Sequence, residues 1–122
     1  MLSTSAGAYE FTSNADADTY HAVGALIALL EGQANEPMLC KNHPTPKINQ
    51  ALAEWRGIDR PVSPWFKSDF ERGIAQGKQV LKQEIANLAD PRTKEQCSEI
   101  DKEYSRQSDM VVAVMKQAYI IR

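Results

Sequence analysis

Apolar residues recur every three or four positions through most of this chain, and that spacing predicts amphipathic α-helices. It is clearest towards the middle of the chain, at Phe66, Phe70, Ile74, Gly77, Leu81, Ile85 and Leu88. No stretch alternates apolar and polar residues as a half-buried β-strand does. A chain of 122 residues has room for one hydrophobic core. The sequence therefore predicts an all-α, single-domain helical bundle of about four helices over residues 1–122.

Capping residues followed by proline mark three helix starts, at Thr45-Pro46, Ser63-Pro64 and Asp90-Pro91. The first helix is predicted from about residue 15 to residue 31, where Gly32 is placed to end it. The last two helices are long and are separated by a short turn. We therefore expect them to form a long antiparallel hairpin.

Two cysteines, Cys40 and Cys97, bear on the cellular compartment. Their spacing matches neither a zinc ribbon nor a redox pair, so a structural disulfide or two buried thiols would account for them. Residues 5–8 end in the small-residue pattern that precedes signal-peptidase cleavage, although no basic or apolar segment stands before it. Residues 1–12 are expected to be a flexible tail or the remainder of an export signal. A disulfide in such a chain predicts a periplasmic or secreted location.

Net charge and hydropathy argue against nucleic-acid binding and against a membrane-spanning segment. The net charge of −2 argues against a general nucleic-acid binder. No apolar run approaches the roughly 20 residues that span a bilayer, so no transmembrane segment is predicted. Residues 10–36 carry only acidic charges, whereas residues 41–67 are mainly basic. Either neighbouring helices complement each other in charge, or two oppositely charged patches steer a charged partner.

Motifs of known catalytic or metal chemistry do not occur. The chain has no G-x-S-x-G, P-loop, G-x-G-x-x-G or H-E-x-x-H sequence. Cys40 and His43 have the spacing of half a zinc site, but a structural site needs four ligands. Glu95, Glu99 and Glu103 are interspersed with basic residues, as on a solvated helix surface. We therefore predict no catalytic residue, no metal and no cofactor.

The connection between the second and third helices, residues 55–66, contains the residue types of a protein interface. Trp and Arg are the types most enriched at interface hot spots, and a connection stiffened by proline loses little entropy on binding. Trp55 continues the face of Ile48 and Leu52, which predicts that it belongs to the core. Alternatively, Trp55 and Trp65 both close the end of the bundle. The residues predicted to contact a protein partner are Arg56, Arg60, Trp65 and Phe66.

Three functions are compatible with this sequence. The first is a small exported, non-enzymatic protein-binding domain, such as an inhibitor or an immunity protein that neutralises a toxin. The second is a small-ligand-binding protein or small enzyme with a pocket between helices, near Tyr20, Tyr104 and the pair Gly73 and Gly77. Glycines spaced four apart permit either a ligand slot or the close approach of another helix. The third is a chaperone-like or structural protein, and a homodimer is compatible with the sequence.

Overall fold

The computed structural model describes residues 14–57 and 67–120, with side chains described over 17–55, over 67–111 and at 113. No strand occurs within these ranges, and the all-α prediction is confirmed. The described residues form four helices: α1 (Asn14–Asn35), α2 (Pro46–Gly57), α3 (Lys67–Ala86) and α4 (Lys94–Ile120).

Helix α1 is the centre of the bundle because it is apolar on two opposite faces. Its small residues Gly24, Ala25 and Ala28 lie against α3. Its large residues belong to the core that α2 completes, whose fully buried members are Tyr20, Val23, Leu26, Leu30, Ile48, Ala51, Leu52 and Trp55. With 3.6 residues per turn, these two sets occupy opposite sides of α1. A helix in this position explains why residues 25–30 are continuously apolar.

Helices α1 and α3 run in the same direction. Gly73 lies against the backbone of His21, and one turn later Gly77 lies against that of Ala25. The contact residues therefore advance along both helices together. Because parallel neighbours cannot be joined by a short turn, α2 with its connections serves as the crossover between them.

Helices α2 and α4 also run in parallel. Ile48 in the first turn of α2 contacts Asp101, which lies about two turns into α4, and Trp55 contacts Ser108 two turns further on. Steps of seven residues on both helices keep the contacts in register.

The predicted antiparallel hairpin of the last two helices is not confirmed. Helix α3 packs mainly along α1, and α4 packs mainly along α2. The physical reason lies in the residues of the α3 seam, since Gly73 and Gly77 allow a closeness to the α1 backbone that larger side chains would prevent. A short connection between α3 and α4 did not decide which helices pack together.

Two helix ends differ from prediction. Helix α1 continues past Gly32 to Asn35, and Gly32 lies inside the helix, where it provides space for a side chain of α3. An ideal Cβ at Gly32 would lie 2.2 Å from Cδ1 of Leu81. This glycine therefore serves packing and does not end the helix.

Helix α4 begins at Lys94, later than the Asp90-Pro91 pair predicts. Thr93 and Gln96 form a reciprocal capping box, in which the Gln96 amide donates to Thr93 Oγ1 at 3.1 Å and the Thr93 amide donates to Gln96 Oε1 at 2.9 Å. Helix α3 ends at Ala86, and its predicted start at Ser63-Pro64 lies outside the described residues.

Candidate functional site

The residues predicted to contact a partner lie at the boundary of the described structure. Arg56 is in the last turn of α2. Arg60, Trp65 and Phe66 lie outside the described residues, as does the tail predicted for residues 1–12.

Trp55, directly before that connection, is a core residue as predicted, with 4% of its surface exposed. Its indole Nε1–H donates to Ser108 Oγ of α4 at 3.1 Å. A buried indole needs such an acceptor, because an unsatisfied donor costs about 1–3 kcal/mol. The end of α2 is therefore held in a defined place before the connection starts.

The predicted disulfide between Cys40 and Cys97 is present, with a Cα–Cα distance of 5.7 Å. Both cysteines are fully buried. The bridge joins the loop before α2 to the first turn of α4, across 57 residues of sequence. It thus fixes the start of the parallel α2/α4 pair.

Two hydrogen bonds reinforce the same corner by tying residues 36–45 to the connection between α3 and α4. The Arg92 amide donates to the Met38 carbonyl at 3.0 Å, and His43 Nε2–H donates to the Arg92 carbonyl at 3.0 Å. His43 is therefore occupied with the backbone and Cys40 with the disulfide. No group of three or more His, Cys, Asp or Glu residues within the described ranges is arranged to hold a metal ion.

A polar cluster links three helices beside this corner. We call it the Gln33 cluster; it consists of Gln33 on α1, Glu84 on α3, Arg92 in the connection between α3 and α4, and Tyr104 on α4. Gln33 Nε2 donates to Glu84 Oε1 at 3.1 Å, and Arg92 Nη1 donates to Gln33 Oε1 at 3.2 Å. Arg92 Nη2 also forms an ion pair with Glu84 Oε2. Gln33 is fully buried, so these partners replace the water that its amide loses.

The electrostatics of the Gln33 cluster follow from burial. Burial raises the pKa of the Tyr104 phenol, and the charge of Arg92 and a hydrogen bond from Gln33 oppose that effect. Burial likewise lowers the pKa of the Arg92 guanidinium, and the charge interaction with Tyr104 opposes this lowering. The cluster's donors and acceptors are directed at one another. This arrangement is typical of a polar network that holds helices together.

Asp101 performs a comparable task between α2 and α4. Its carboxylate accepts hydrogen bonds from the Ile48 amide at 2.8 Å and the Lys47 amide at 3.1 Å. These amides belong to the first turn of α2, where a helix has no internal acceptors and its dipole favours a negative charge. Thr45 precedes the helix as predicted, but the side chain that caps these amides comes from α4.

The glycines of α3 are filled by α1. An ideal Cβ at Gly73 would lie 2.0 Å from the His21 carbonyl oxygen, and one at Gly77 would lie 2.6 Å from that of Ala25. Conversely, a Cβ at Gly24 would lie 2.2 Å from the Phe70 carbonyl oxygen. The pair Gly73 and Gly77 therefore marks a close helix contact, and no ligand slot exists there.

An open groove lies further along, between the C-terminal halves of α1 and α3. Its volume is about 690 Å³. The floor consists of small and aliphatic residues, namely Ala28, Gly32, Ala75, Leu81 and Ile85. We call it the α1/α3 groove. It is open to solvent, and the helices on either side carry exposed polar residues.

Comparisons with models of protein families, with curated proteins and with solved structures yield no match to this chain. Among the described residues, none of the helices has the length and apolar character needed to cross a membrane.

The sequence contains one signal for these buried polar contacts. Gln33 continues the stripe of Leu26 and Leu30, so a polar residue occupies a core position of α1. On α4, Ile100, Tyr104 and Val111 pack partly buried against the core. The polar residues Asp101 and Ser108 are buried more completely, whereas Gln107 is exposed.

Proposed function

We propose that this chain is a small exported, non-enzymatic domain that binds a protein partner, as an inhibitor or immunity-type protein does. The observation that supports the proposal most directly is the structural use of its buried reactive side chains. Cys40 and Cys97 form the disulfide, Asp101 caps α2 and Ser108 accepts the Trp55 indole. This use of buried side chains in the described ranges supports recognition through the surface as the activity of the molecule.

Export accords with the buried disulfide, since such bridges persist mainly in oxidising compartments. A bridge that closes a long loop also suits a domain that must remain folded outside the cytosol, because it restricts the unfolded chain.

We place the partner-binding surface on Arg56, Arg60, Trp65 and Phe66. The support is chemical, because Trp and Arg dominate interface hot spots. It is also structural, because the bond from Trp55 to Ser108 fixes the end of α2 where this segment begins. A segment with a fixed starting point loses less entropy on binding than a free one.

The experiment starts with the oxidised, exported protein as bait for crosslinking in its native compartment, followed by titration calorimetry with the captured partner. We expect Trp65→Ala and Arg60→Ala to keep their melting temperature and to lose about 2 kcal/mol or more of binding free energy, as hot-spot residues do. Arg72→Ala is the matched control, because Arg72 is an exposed arginine on α3. Trp55→Ala should instead lose about 3–5 kcal/mol of folding stability, as a buried aromatic does.

Unchanged affinity in both Trp65→Ala and Arg60→Ala would contradict this placement. Residues 35–45 would then be the next surface to test.

A small-ligand site is the second candidate, and the α1/α3 groove is the observation that favours it. Its volume lies within the range of about 300–1,000 Å³ usual for ligand pockets. Such pockets bury most of their ligand and direct a few polar groups at it, whereas this groove is open along its length. Thermal-shift screening of a metabolite library distinguishes the two candidates. A ligand whose stabilising effect is lost in Ala75→Leu, at an exposed residue that lines the groove, but not in exposed Gln76→Leu, would favour the small-ligand function.

A further inference from the structure

The two sides of the α1/α3 groove carry opposite charges. On the α1 side, Glu31 and Glu36 border the apolar floor, and on the α3 side Lys78 and Lys82 border it. All four side chains are exposed. None of them forms an ion pair with another residue of the described ranges, where the ion pairs are Arg72–Asp69, Arg92–Glu84 and Arg106–Glu103.

The heights of these charges along the groove follow from the parallel packing. Ala28 lies level with Gly77, and Gly32 lies level with Leu81. Glu31 therefore lies between the levels of Lys78 and Lys82, within about one helical turn of 5.4 Å from each. Glu36 follows the end of α1 and borders the groove just beyond the level of Lys82, so the acidic row and the basic row overlap along the groove.

Such a surface is complementary to itself. When two copies face each other across a two-fold axis parallel to α1 and α3, the α1 of each copy lies opposite the α3 of the other. Every acidic row then meets a basic row, and the apolar floors cover each other. A two-fold axis perpendicular to the helices would instead place α1 opposite α1 and oppose like charges. The charge pattern thus selects both the occupant and its orientation.

We propose that the α1/α3 groove is a self-association surface, through which two copies form a parallel, two-fold symmetric dimer. Isologous dimers of this kind are the commonest oligomers of soluble proteins. The groove is lined by 11 residues, fewer than the roughly 20–30 residues per partner, about 800 Å², of a standard stable interface. The dimer is therefore a weak one, in exchange with monomer, and it weakens as salt screens its charges.

Sedimentation velocity on the oxidised protein, from about 10 μM to 1 mM, tests the proposal in the concentration range of a small interface. The average mass should rise from monomer towards dimer with concentration, and less so at high salt. Two charge-reversal variants, Lys78→Glu/Lys82→Glu and Glu31→Lys/Glu36→Lys, should each associate at least tenfold more weakly. An equimolar mixture of the two should form a heterodimer, because each acidic row then meets a basic one.

The matched control is Lys94→Glu/Lys102→Glu, which makes the same change in net charge on exposed positions of α4. It should associate like the unmodified chain. Should either reversal lower the melting temperature, a variant with all four reversals restores opposite charges and should recover the homodimer. A chain that stays monomeric over the whole range would overturn the proposal, as would undiminished association of the reversed variants or a mixture that fails to associate. The residues tested do not overlap with 56–66, so failure here leaves the proposed partner-binding surface standing.

Discussion

The two parallel helix pairs of this bundle are held together by different means. Between α1 and α3 the backbones themselves meet, because glycines on both helices remove the side chains that would separate them. Between α2 and α4 the contacts are directional, with Asp101 at one end and Trp55 and Ser108 at the other, and the disulfide ties the loop before α2 to the first turn of α4.

This difference determines how each pair can fail. A backbone contact tolerates no added atom, because neither chain can move aside without displacing its helix. A side-chain contact tolerates changes of volume better, but removal of one partner leaves the other buried and unsatisfied. The α1/α3 pair should therefore be sensitive to added volume and the α2/α4 pair to lost bonds.

The largest effect should come from removing the disulfide on the α2/α4 side. In the chain-entropy model, a bridge across 57 residues stabilises the fold by about 4 kcal/mol. Cys40→Ser/Cys97→Ser should lose roughly that amount in urea unfolding, out of a total of about 5–15 kcal/mol for a small domain. Hydrogen exchange should show more loosening in α2 and α4 than in α1 and α3. A loss below about 1 kcal/mol would show that the directional bonds suffice without the bridge.

The next largest effect should come from adding one methyl group to the α1/α3 contact. In Gly73→Ala the new Cβ would lie 2.0 Å from the His21 carbonyl oxygen, so α3 must shift. We expect a net destabilisation of about 2–3 kcal/mol in urea unfolding, the usual cost of overpacking. Gln76→Ala, at an exposed position of the same helix, is the control, and its free energy of unfolding should change little. If Gly73 were incidental, alanine would instead stabilise the helix by about 1 kcal/mol.

A smaller effect should come from weakening one directional bond between α2 and α4. Asp101→Asn keeps the shape of the side chain but removes the negative charge at the start of α2 and presents an NH₂ group to backbone amides. We expect a loss of about 1–2 kcal/mol, measured by urea unfolding at neutral pH. The control is Asp109→Asn, since Asp109 is exposed on the same helix. Equal stability of these two variants would mean that the cap contributes nothing measurable.

Features of the fold that depend on local spacing could be predicted from the sequence. Periodicity gave the helices, the start of α2 at Pro46 followed from its cap and proline, and Trp55 was placed in the core because it shares a face with Ile48 and Leu52. Each of these inferences needs only residues within a few turns of one another.

The spacing of residues along the sequence could not predict which helices pack together. A short connection favours packing of consecutive helices, yet the glycines of α3 fit α1 more closely. The cap of α2 was also misassigned, because Asp101 reaches it across 53 residues of sequence. Nothing local distinguishes a buried carboxylate on α4 from the exposed ones around it until its partner helix is known. Of the candidate site, the sequence narrowed Cys40 and Cys97 to a disulfide or two buried thiols, whereas the α1/α3 groove required knowledge of which helices are neighbours.

The parallel pairing of α1 with α3 and of α2 with α4 has a consequence for how the chain reaches this structure. Helical bundles usually fold within microseconds to milliseconds because their contacts are local in sequence. Here the residues that meet are separated by about fifty positions, as in the contacts of Ile48 with Asp101 and Trp55 with Ser108. The chain must lose conformational entropy in closing those loops before the contacts of either helix pair can form. This all-helical chain is therefore expected to fold more slowly than bundles of its size, and to form its last helix before α2 has a stable capped end.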